Sequence, residues 1–238
     1  MERDGTRLAP AVVRELLDKL RPAASDIVLI GGQALNFWAE RYGSVAELTR
    51  DAPYTSKDID FYGHQVHVTR CAQLLGGEAI LYGVKDRSIC SGIVTTAEGI
   101  QIDFVTLPLG VQASEIPRRA ITFAHGKVMH PMHVLMSRAA NVVHIPRNDA
   151  LALKQLRAAV FVVREFIRKE HLQAGSIKAA QRLSEEAYKL ATEADGIAVW
   201  KRHGVDLFAA VTAEPSLGEK FLSIRYPQMR ERLAALRR

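Results

Sequence analysis

A strand, a glycine pair and a pair of aspartates, all within residues 27–61, constrain the fold of this chain more than any other feature. The stretch opens with a short apolar run at residues 27–30, which Gly31 and Gly32 interrupt before helix-forming residues follow. This order predicts a strand, a tight turn and the start of a helix. Glycine serves where a backbone turns sharply or approaches a ligand, and the amides at a helix N-terminus favour an anion such as phosphate.

The same stretch closes with two carboxylates. Asp58 and Asp60 are separated by one apolar residue in a run with strand character. Side chains alternate along a strand, so both carboxylates should face one way, about 6.5 Å apart along the backbone. Carboxylates at this spacing can share hard divalent cations, which two-metal phosphoryl-transfer sites hold about 3.5–4 Å apart.

A third carboxylate, Asp103, lies in a later predicted strand at residues 100–105. Apolar residues alternate on one face of that strand and leave Asp103 on the other face. The run at residues 91–96 and a turn around Glu98 and Gly99 predict a hairpin that presents this carboxylate.

A glycine turn, an Asp-x-Asp pair and a lone aspartate on a later strand together resemble the nucleotidyltransferase superfamily typified by DNA polymerase beta. The resemblance implies an α/β fold, with an N-terminal nucleotidyltransferase fold (a small mixed sheet flanked by helices) followed by a helical C-terminal region. It implies that Asp58, Asp60 and Asp103 bind Mg²⁺ or Mn²⁺, and that Asp103 orients or deprotonates an acceptor hydroxyl. The gap between Gly32 and Asp58 is longer than in many minimal members, which implies an inserted segment at residues 39–55.

The resemblance also implies contacts to a nucleotide. The triphosphate of an NTP would lie near Gly31 and Gly32, with the hydroxyl of Ser56 and the side chain of Lys57 as further contacts. A hydrogen bond within the loop is an equal alternative for Ser56.

A helix predicted at residues 150–171 supplies the cationic candidates, and Asn148 or Asp149 is predicted to cap it. Its first two turns resemble the lysine-bearing helix of AbiEii-like nucleotidyltransferases, the toxin components of abortive-infection toxin–antitoxin systems and their relatives. The resemblance implies that Lys154 stabilises charge on the transferring phosphate, with Arg157 as a substitute or helper. The alternative is that Lys154 belongs to a solvated stripe.

We predict two domains, a nucleotidyltransferase core with an N-terminal helix at residues 1–128 and a helical domain at residues 129–238. Residues 1–146 contain 15 Lys and Arg against 15 Asp and Glu, whereas residues 147–238 contain 17 against 11. The whole net charge of +6 therefore lies in the second part. This asymmetry favours an anionic partner such as nucleotide phosphates or RNA, and the alternative is a solvated helical surface rich in arginine.

The sequence does not favour a membrane protein, a secreted protein or a zinc protein. No apolar run reaches the roughly 18 residues that a membrane span needs, and the first residues lack a signal-peptide pattern, so we expect a cytoplasmic protein without membrane contacts. The cysteines, Cys71 and Cys90, fit a reducing compartment as buried or inert thiols, and a disulfide between them is the alternative. His130, His133 and His144 do not have the spacing of a zinc site.

Together these features predict a magnesium-dependent nucleotidyltransferase that moves NMP from an NTP to a hydroxyl group. In-line attack on the α-phosphorus would release pyrophosphate, and catalysis would come mainly from positioning and charge neutralisation. The expected acceptor is tRNA or other RNA, and a toxin of this class would bind a cognate antitoxin. The alternatives are a small-molecule acceptor, as in aminoglycoside nucleotidyltransferases, and a nucleotide- or partner-binding module without catalysis.

Overall fold

The computed structural model describes residues 8–86, 88–145 and 150–238, so the predicted caps Asn148 and Asp149 lie outside it. The chain forms two compact units. The first comprises Met1–Trp38 and Ala52–Ser137, and the second comprises Ala39–Asp51 and Arg138–Arg238. The two units are defined only by packing within this chain, and they do not test where one domain ends and the next begins. The domain boundary predicted between residues 128 and 129 therefore stays a prediction.

The first unit is built on a mixed sheet. Within the described residues the sheet has seven strands in the order β3-β4-β5-β2-β1-β7-β6. The strands are β1 Val28–Leu29, β2 Ile59–Tyr62, β3 Glu78–Leu81, β4 Cys90–Thr95, β5 Gln101–Val105, β6 Ile121–Phe123 and β7 Gly126–Val128. The pairs β2–β5 and β1–β7 are parallel and the others antiparallel, which confirms the predicted mixed sheet.

Helices connect these strands. The α-helices are α1 Pro10–Lys19, α2 Gly31–Arg41, α3 Ala46–Thr49, α4 Gln65–Leu75, α5 Glu115–Arg119, α6 Pro131–His144, α7 Ala150–Phe166, α8 Ile177–Thr192, α9 Ala194–His203 and α10 Tyr226–Leu236. Gly31 follows β1 almost directly, so the predicted order of strand, glycine turn and helix is confirmed. Two of these helices, α2 and α6, begin in the first unit and end in the second.

One face of the sheet packs against α4 and holds the core of the first unit. A Cβ atom at Gly92 would lie 3.1 Å from the side chain of Val68 in α4, so β4 and this helix are in close contact. On the same face Phe61 and Phe104 are fully buried and stack with their ring centroids 5.9 Å apart. Because side chains alternate along each strand, the residues next to Phe61 in β2 and next to Phe104 in β5 face away from α4. We call that opposite side the open face.

Within its described residues, the second unit consists of helices and the segments that connect them, with no strand. The helix predicted at residues 150–171 is α-helical as far as Phe166 and continues as a π-helix, Ile167–Leu172. The carboxylate of Glu165 is buried in this unit and accepts hydrogen bonds from Arg164 and Arg168. Arg164 also donates to Glu47 in α3, at 3.2 Å, so a partly buried ion network ties residues 39–51 to α7. Among the described helices, none combines the length and the apolar character needed to cross a bilayer.

We predict that Phe104→Ala lowers the free energy of unfolding of the first unit by about 3–5 kcal/mol, since it removes a buried ring and leaves a cavity. The chain has two tryptophans, Trp38 in the first unit and Trp200 in the second. Urea unfolding followed by fluorescence in a Trp200→Phe background therefore reports on the first unit alone. Leu107→Ala is the control, because Leu107 is 60% exposed and its loss should change stability by less than about 0.5 kcal/mol.

Candidate functional site

Two of the predicted carboxylates, Asp60 and Asp103, lie opposite each other on the parallel strands β2 and β5. Residues paired in this way face the same side of a sheet, and their strands are about 4.8 Å apart. Asp58 ends the loop one residue before β2, and its negative charge contributes to a raised pKa of Asp103. All three carboxylates are half-buried. The structure thus places the three predicted acids in one region of the open face.

The glycine turn lies against this region. Gly31 has a positive φ of 67°, and a Cβ atom built on it would lie 2.1 Å from Oδ2 of Asp60. The backbone N–H of Ile30 donates to the carbonyl of Asp60 at 2.9 Å, which continues the pairing of β1 with β2 up to the turn. Glycine is therefore required at residue 31 for two reasons, the left-handed backbone and the carboxylate packed against its Cα.

Two buried amide side chains of α2 hold the loop that leads to Asp58. Nε2 of Gln33 donates to the carbonyl of Ser56 at 3.2 Å, and Oδ1 of Asn36 accepts from the backbone N–H of Tyr54 at 3.0 Å. The hydroxyl of Ser56 in turn donates to the carbonyl of Asp58 at 2.7 Å. These bonds fix the path of the loop, so helix α2 determines where the first carboxylate lies.

Asp103 is held by a neighbour on its own strand. Burial raises the pKa of Asp103 and the charge of Asp58 raises it further, while a hydrogen bond from Gln101 lowers it. That bond runs from Nε2 of Gln101 to Oδ1 of Asp103 and is 2.9 Å long. Strand residues two apart share a face, which explains how a side chain on the same strand reaches the carboxylate.

A thiol adjoins the carboxylates. Cys90 pairs with Val105 across β4 and β5, which places it on the open face beside Asp103. Burial raises the pKa of Cys90, and the charges of Asp103 and Asp60 raise it further against a hydrogen bond with Ser88. The sequence identified Cys90 only as an inert thiol and gave no indication of this position.

The remaining predicted residues are in different surroundings. Gly32 is buried in the first turn of α2, and Lys57 is exposed in the bend before β2. Lys154 is half-buried and Arg157 is exposed, both on α7 in the second unit. Their approach to the carboxylates stays a prediction.

The donor set of the site fits a hard divalent cation in its chemistry. Carboxylate oxygens are the ligands that Mg²⁺ and Mn²⁺ prefer. A cation would relieve the repulsion by Asp58, which adds to the effect of burial in raising the pKa of Asp103. Within residues 8–86, 88–145 and 150–238, however, no group of three or more His, Cys, Asp or Glu side chains is gathered closely enough to hold a metal ion. The carboxylates lie side by side on the sheet rather than around one point.

Sequence reasoning missed Gln33, Asn36 and Gln101. Gln101 could have been found, because a polar residue two positions before a lone strand aspartate lies on the same face. Gln33 directly follows the glycine pair, but its partner is 23 residues away along the chain. No local pattern gives such a contact.

Comparison with known proteins gives little beyond these observations. No protein-family model matches the chain, and no curated protein matches it. The chain resembles solved structures at low identity. The crystal structure of JHP933 from Helicobacter pylori has 15% identity and a TM-score of 0.41, over 97% of this chain and 98% of that one. The Megavirus polyadenylate synthase has 14% identity and a TM-score of 0.45, over 95% of this chain and 48% of that one. At these TM-scores the likenesses do not decide a family.

We predict that Gly31→Ala destabilises the first unit more than Gly99→Ala does. Both glycines have positive φ, but a Cβ atom at Gly99 meets nothing within 4 Å. Gly99→Ala should therefore cost about 1 kcal/mol of backbone strain, whereas Gly31→Ala should cost about 1–3 kcal/mol more, since Asp60 must move. Urea unfolding in the Trp200→Phe background measures both. Equal losses would contradict the packing of Asp60 against the turn.

A second prediction concerns the thiol of Cys90. Asp103→Asn removes a negative charge that disfavours the thiolate, so the pKa of Cys90 falls and its alkylation by iodoacetamide at pH 8 becomes faster. Mass spectrometry of the labelled peptides gives the rate for each cysteine. Cys71 is the internal control, because burial raises its pKa to about 11.

Asp58→Asn is the matched variant, as it removes a charge beside Asp103 rather than beside the thiol. It should change the rate at Cys90 less than Asp103→Asn does. An unchanged or slower rate in Asp103→Asn would show that the two side chains are not neighbours.

Proposed function

We propose that this protein is a nucleotidyltransferase that transfers NMP from an NTP to a hydroxyl acceptor. The observation that carries the proposal is the in-register pair Asp60 and Asp103 beside the Gly31 turn, with Asp58 next to them. Hydrolases and binding proteins also use paired carboxylates. Here the paired carboxylates occur together with a glycine turn that begins a helix. This combination favours a reaction at phosphate, since helix N-termini attract anions.

Each residue then has a role. The backbone of Gly31 and Gly32 binds the triphosphate at the start of α2. Asp58, Asp60 and Asp103 would hold Mg²⁺ or Mn²⁺, and the cation would supply positive charge that neutralises the phosphates. Asp103, farther from the glycine turn than Asp60, orients the acceptor hydroxyl and accepts its proton.

Ser56 and Lys57 are further nucleotide contacts in this proposal, although the hydroxyl of Ser56 would have to release the carbonyl of Asp58 to donate to a phosphate. Lys154, with Arg157, would stabilise charge on the transferring phosphate.

The proposed class of acceptor is based on the net charge of the second unit. By sequence the second unit carries the whole net charge of +6, which favours tRNA or other RNA as the acceptor. A toxin role with a cognate antitoxin, as in AbiEii-like systems, is part of the same proposal. A nucleotide-binding module without turnover is the competing function, and the three retained carboxylates favour catalysis.

We predict that Asp60→Asn lowers NMP transfer about a hundredfold or more, because a neutral amide does not supply the charge that the cation needs. The assay is incubation with labelled NTP, Mg²⁺ and total RNA, followed by isolation of the labelled product. Glu15→Gln is the control, since Glu15 is an exposed carboxylate on α1. Transfer at the wild-type rate in Asp60→Asn would exclude the metal role.

The same assay separates the acceptors. Transfer to RNA should fall steeply as salt rises, because an RNA acceptor releases counterions on binding. Transfer to a small uncharged or cationic acceptor would lack that slope. Binding of NTP without release of pyrophosphate would favour the non-catalytic module.

A further inference from the structure

We propose that the outer edge of strand β3 is a surface through which two copies of this chain pair, strand against strand, into one continuous sheet. We call this surface, residues 77–83, the β3 edge. It belongs to a part of the first unit that the proposed function does not use, so the inference goes beyond that function and does not rest on it.

Strand β3 is the most exposed strand of the described sheet. It stands at the end of the strand order, and among the described residues no strand pairs with its outer side. Its four residues are all exposed, with Ile80 57% and Leu81 47% exposed. Natural sheets protect such edges with charged residues, proline or a bulge, because an uncovered apolar edge pairs with other chains. Residues 79–82 have none of these protections.

The pairing of β3 with β4 shows which backbone groups of the edge point outward. The N–H of Tyr82 donates to the carbonyl of Ser91 at 3.0 Å, so the backbone groups of Tyr82 face β4. Successive residues of a strand direct these groups to opposite sides. Ile80 therefore also faces β4, whereas Ala79 and Leu81 direct their N–H and C=O groups outward. Outward backbone groups in an apolar run form a template for a further strand.

A second copy of the chain fits the β3 edge because the edge is complementary to itself. In an antiparallel pair, residues with outward backbone groups must lie opposite each other. Pairing Ala79 of one copy with Leu81 of the other satisfies both residues and gives four backbone hydrogen bonds. Registers shifted by two residues would use Gly77 or Gly83, whose N–H groups already donate within their own chain. The backbone therefore selects the register centred on Ile80.

The charges of the edge favour the same arrangement. Strand β3 begins with Glu78, and the turn after it contains Lys85, and both are exposed. In an antiparallel pair centred on Ile80, Glu78 of each copy lies at the end of the interface where the other copy has Lys85. The two Glu78 residues are about 14 Å apart along the strands. A strongly acidic or basic partner would meet like charge at one end of the edge, whereas a second copy meets opposite charge at both ends.

The centre of this pair is apolar. Ile80 of one copy faces Ile80 of the other, and their Cβ atoms are about 4.5–5.5 Å apart. The two-fold axis between antiparallel strands is perpendicular to the sheet, so the open faces of both copies lie on the same side. Two four-residue strands bury less area than a standard interface, so the dimer is reversible and its population depends on protein concentration.

The first test is sedimentation velocity of the full chain over a series of protein concentrations. We expect a dimer with a Kd of about 10–100 µM. Ile80→Lys places like charges opposite each other and should abolish the dimer. Ile224→Lys is the matched control, because Ile224 is 55% exposed in the second unit, and it should leave the Kd unchanged. Circular dichroism of each variant identifies any loss that is due to misfolding.

A charge swap tests the antiparallel arrangement. Glu78→Lys places a lysine near Lys85 of the other copy and should raise the Kd of the dimer about fivefold. Adding Lys85→Glu to this variant should return the Kd to the wild-type value, because the opposite charges are then exchanged between the strands. A merely structural effect of Glu78→Lys would not be reversed by the second substitution.

Disulfide formation tests the register. Ile80→Cys places two thiols opposite each other at a Cα separation of about 4.5 Å, which a disulfide accepts. Mild oxidation should give a covalent dimer linked through the introduced cysteine, as identified by mass spectrometry. Leu81→Cys faces Ala79 of the other copy and should link more slowly. The wild type, with Cys71 buried and Cys90 half-buried, should not link.

Three outcomes would overturn the inference. A wild-type monomer at about 300 µM, well above the expected Kd, would exclude the dimer. A wild-type Kd in Ile80→Lys would show that the copies pair through another surface. Faster linking in Leu81→Cys than in Ile80→Cys would exclude the register. All measurements are made without nucleotide or acceptor, so their failure is distinct from a failure of the proposed reaction.

Discussion

The parallel pairing of β2 with β5 is the constraint on which the candidate site depends. It fixes Asp60 and Asp103 side by side on one face, although two carboxylates at that distance repel each other. Backbone hydrogen bonds and the packing of Phe61 against Phe104 on the opposite face hold the strands together against this repulsion. The fold thus holds like charges close together, where a cation or a proton would stabilise them. Such an arrangement of charges is common at functional sites.

The surroundings of the two acids differ, and the difference gives them different roles in the proposed reaction. Asp60 packs against Gly31 at the start of α2, where helix amides favour negative charge. Asp103 lies between Asp60 and the apolar Ile93, in a position where burial raises its pKa. A carboxylate with a raised pKa is better suited to take a proton, whereas one at a helix N-terminus is better suited to remain ionised beside phosphate.

The segment between the glycine pair and the acidic pair illustrates what a sequence can and cannot give. The long gap predicted an inserted segment, and the structure assigns residues 39–51 of it to the second unit. An ion pair between Glu47 and Arg164 joins partners that are 117 residues apart, and no local pattern indicates it. The role predicted for Lys154 stays a prediction for the same reason, since it depends on contacts that are distant in the chain.

The sequence by itself determined the strand, the glycine turn and the alternation that sends Asp60 and Asp103 away from the core, because these follow from local periodicity and backbone sterics. Only the tertiary structure decided that β2 pairs with β5 in a register that makes the two acids neighbours, and that Gln33 reaches the loop before Asp58. Strand register and buried amide contacts depend on which distant surfaces pack together. Residue order does not encode that packing in any short pattern.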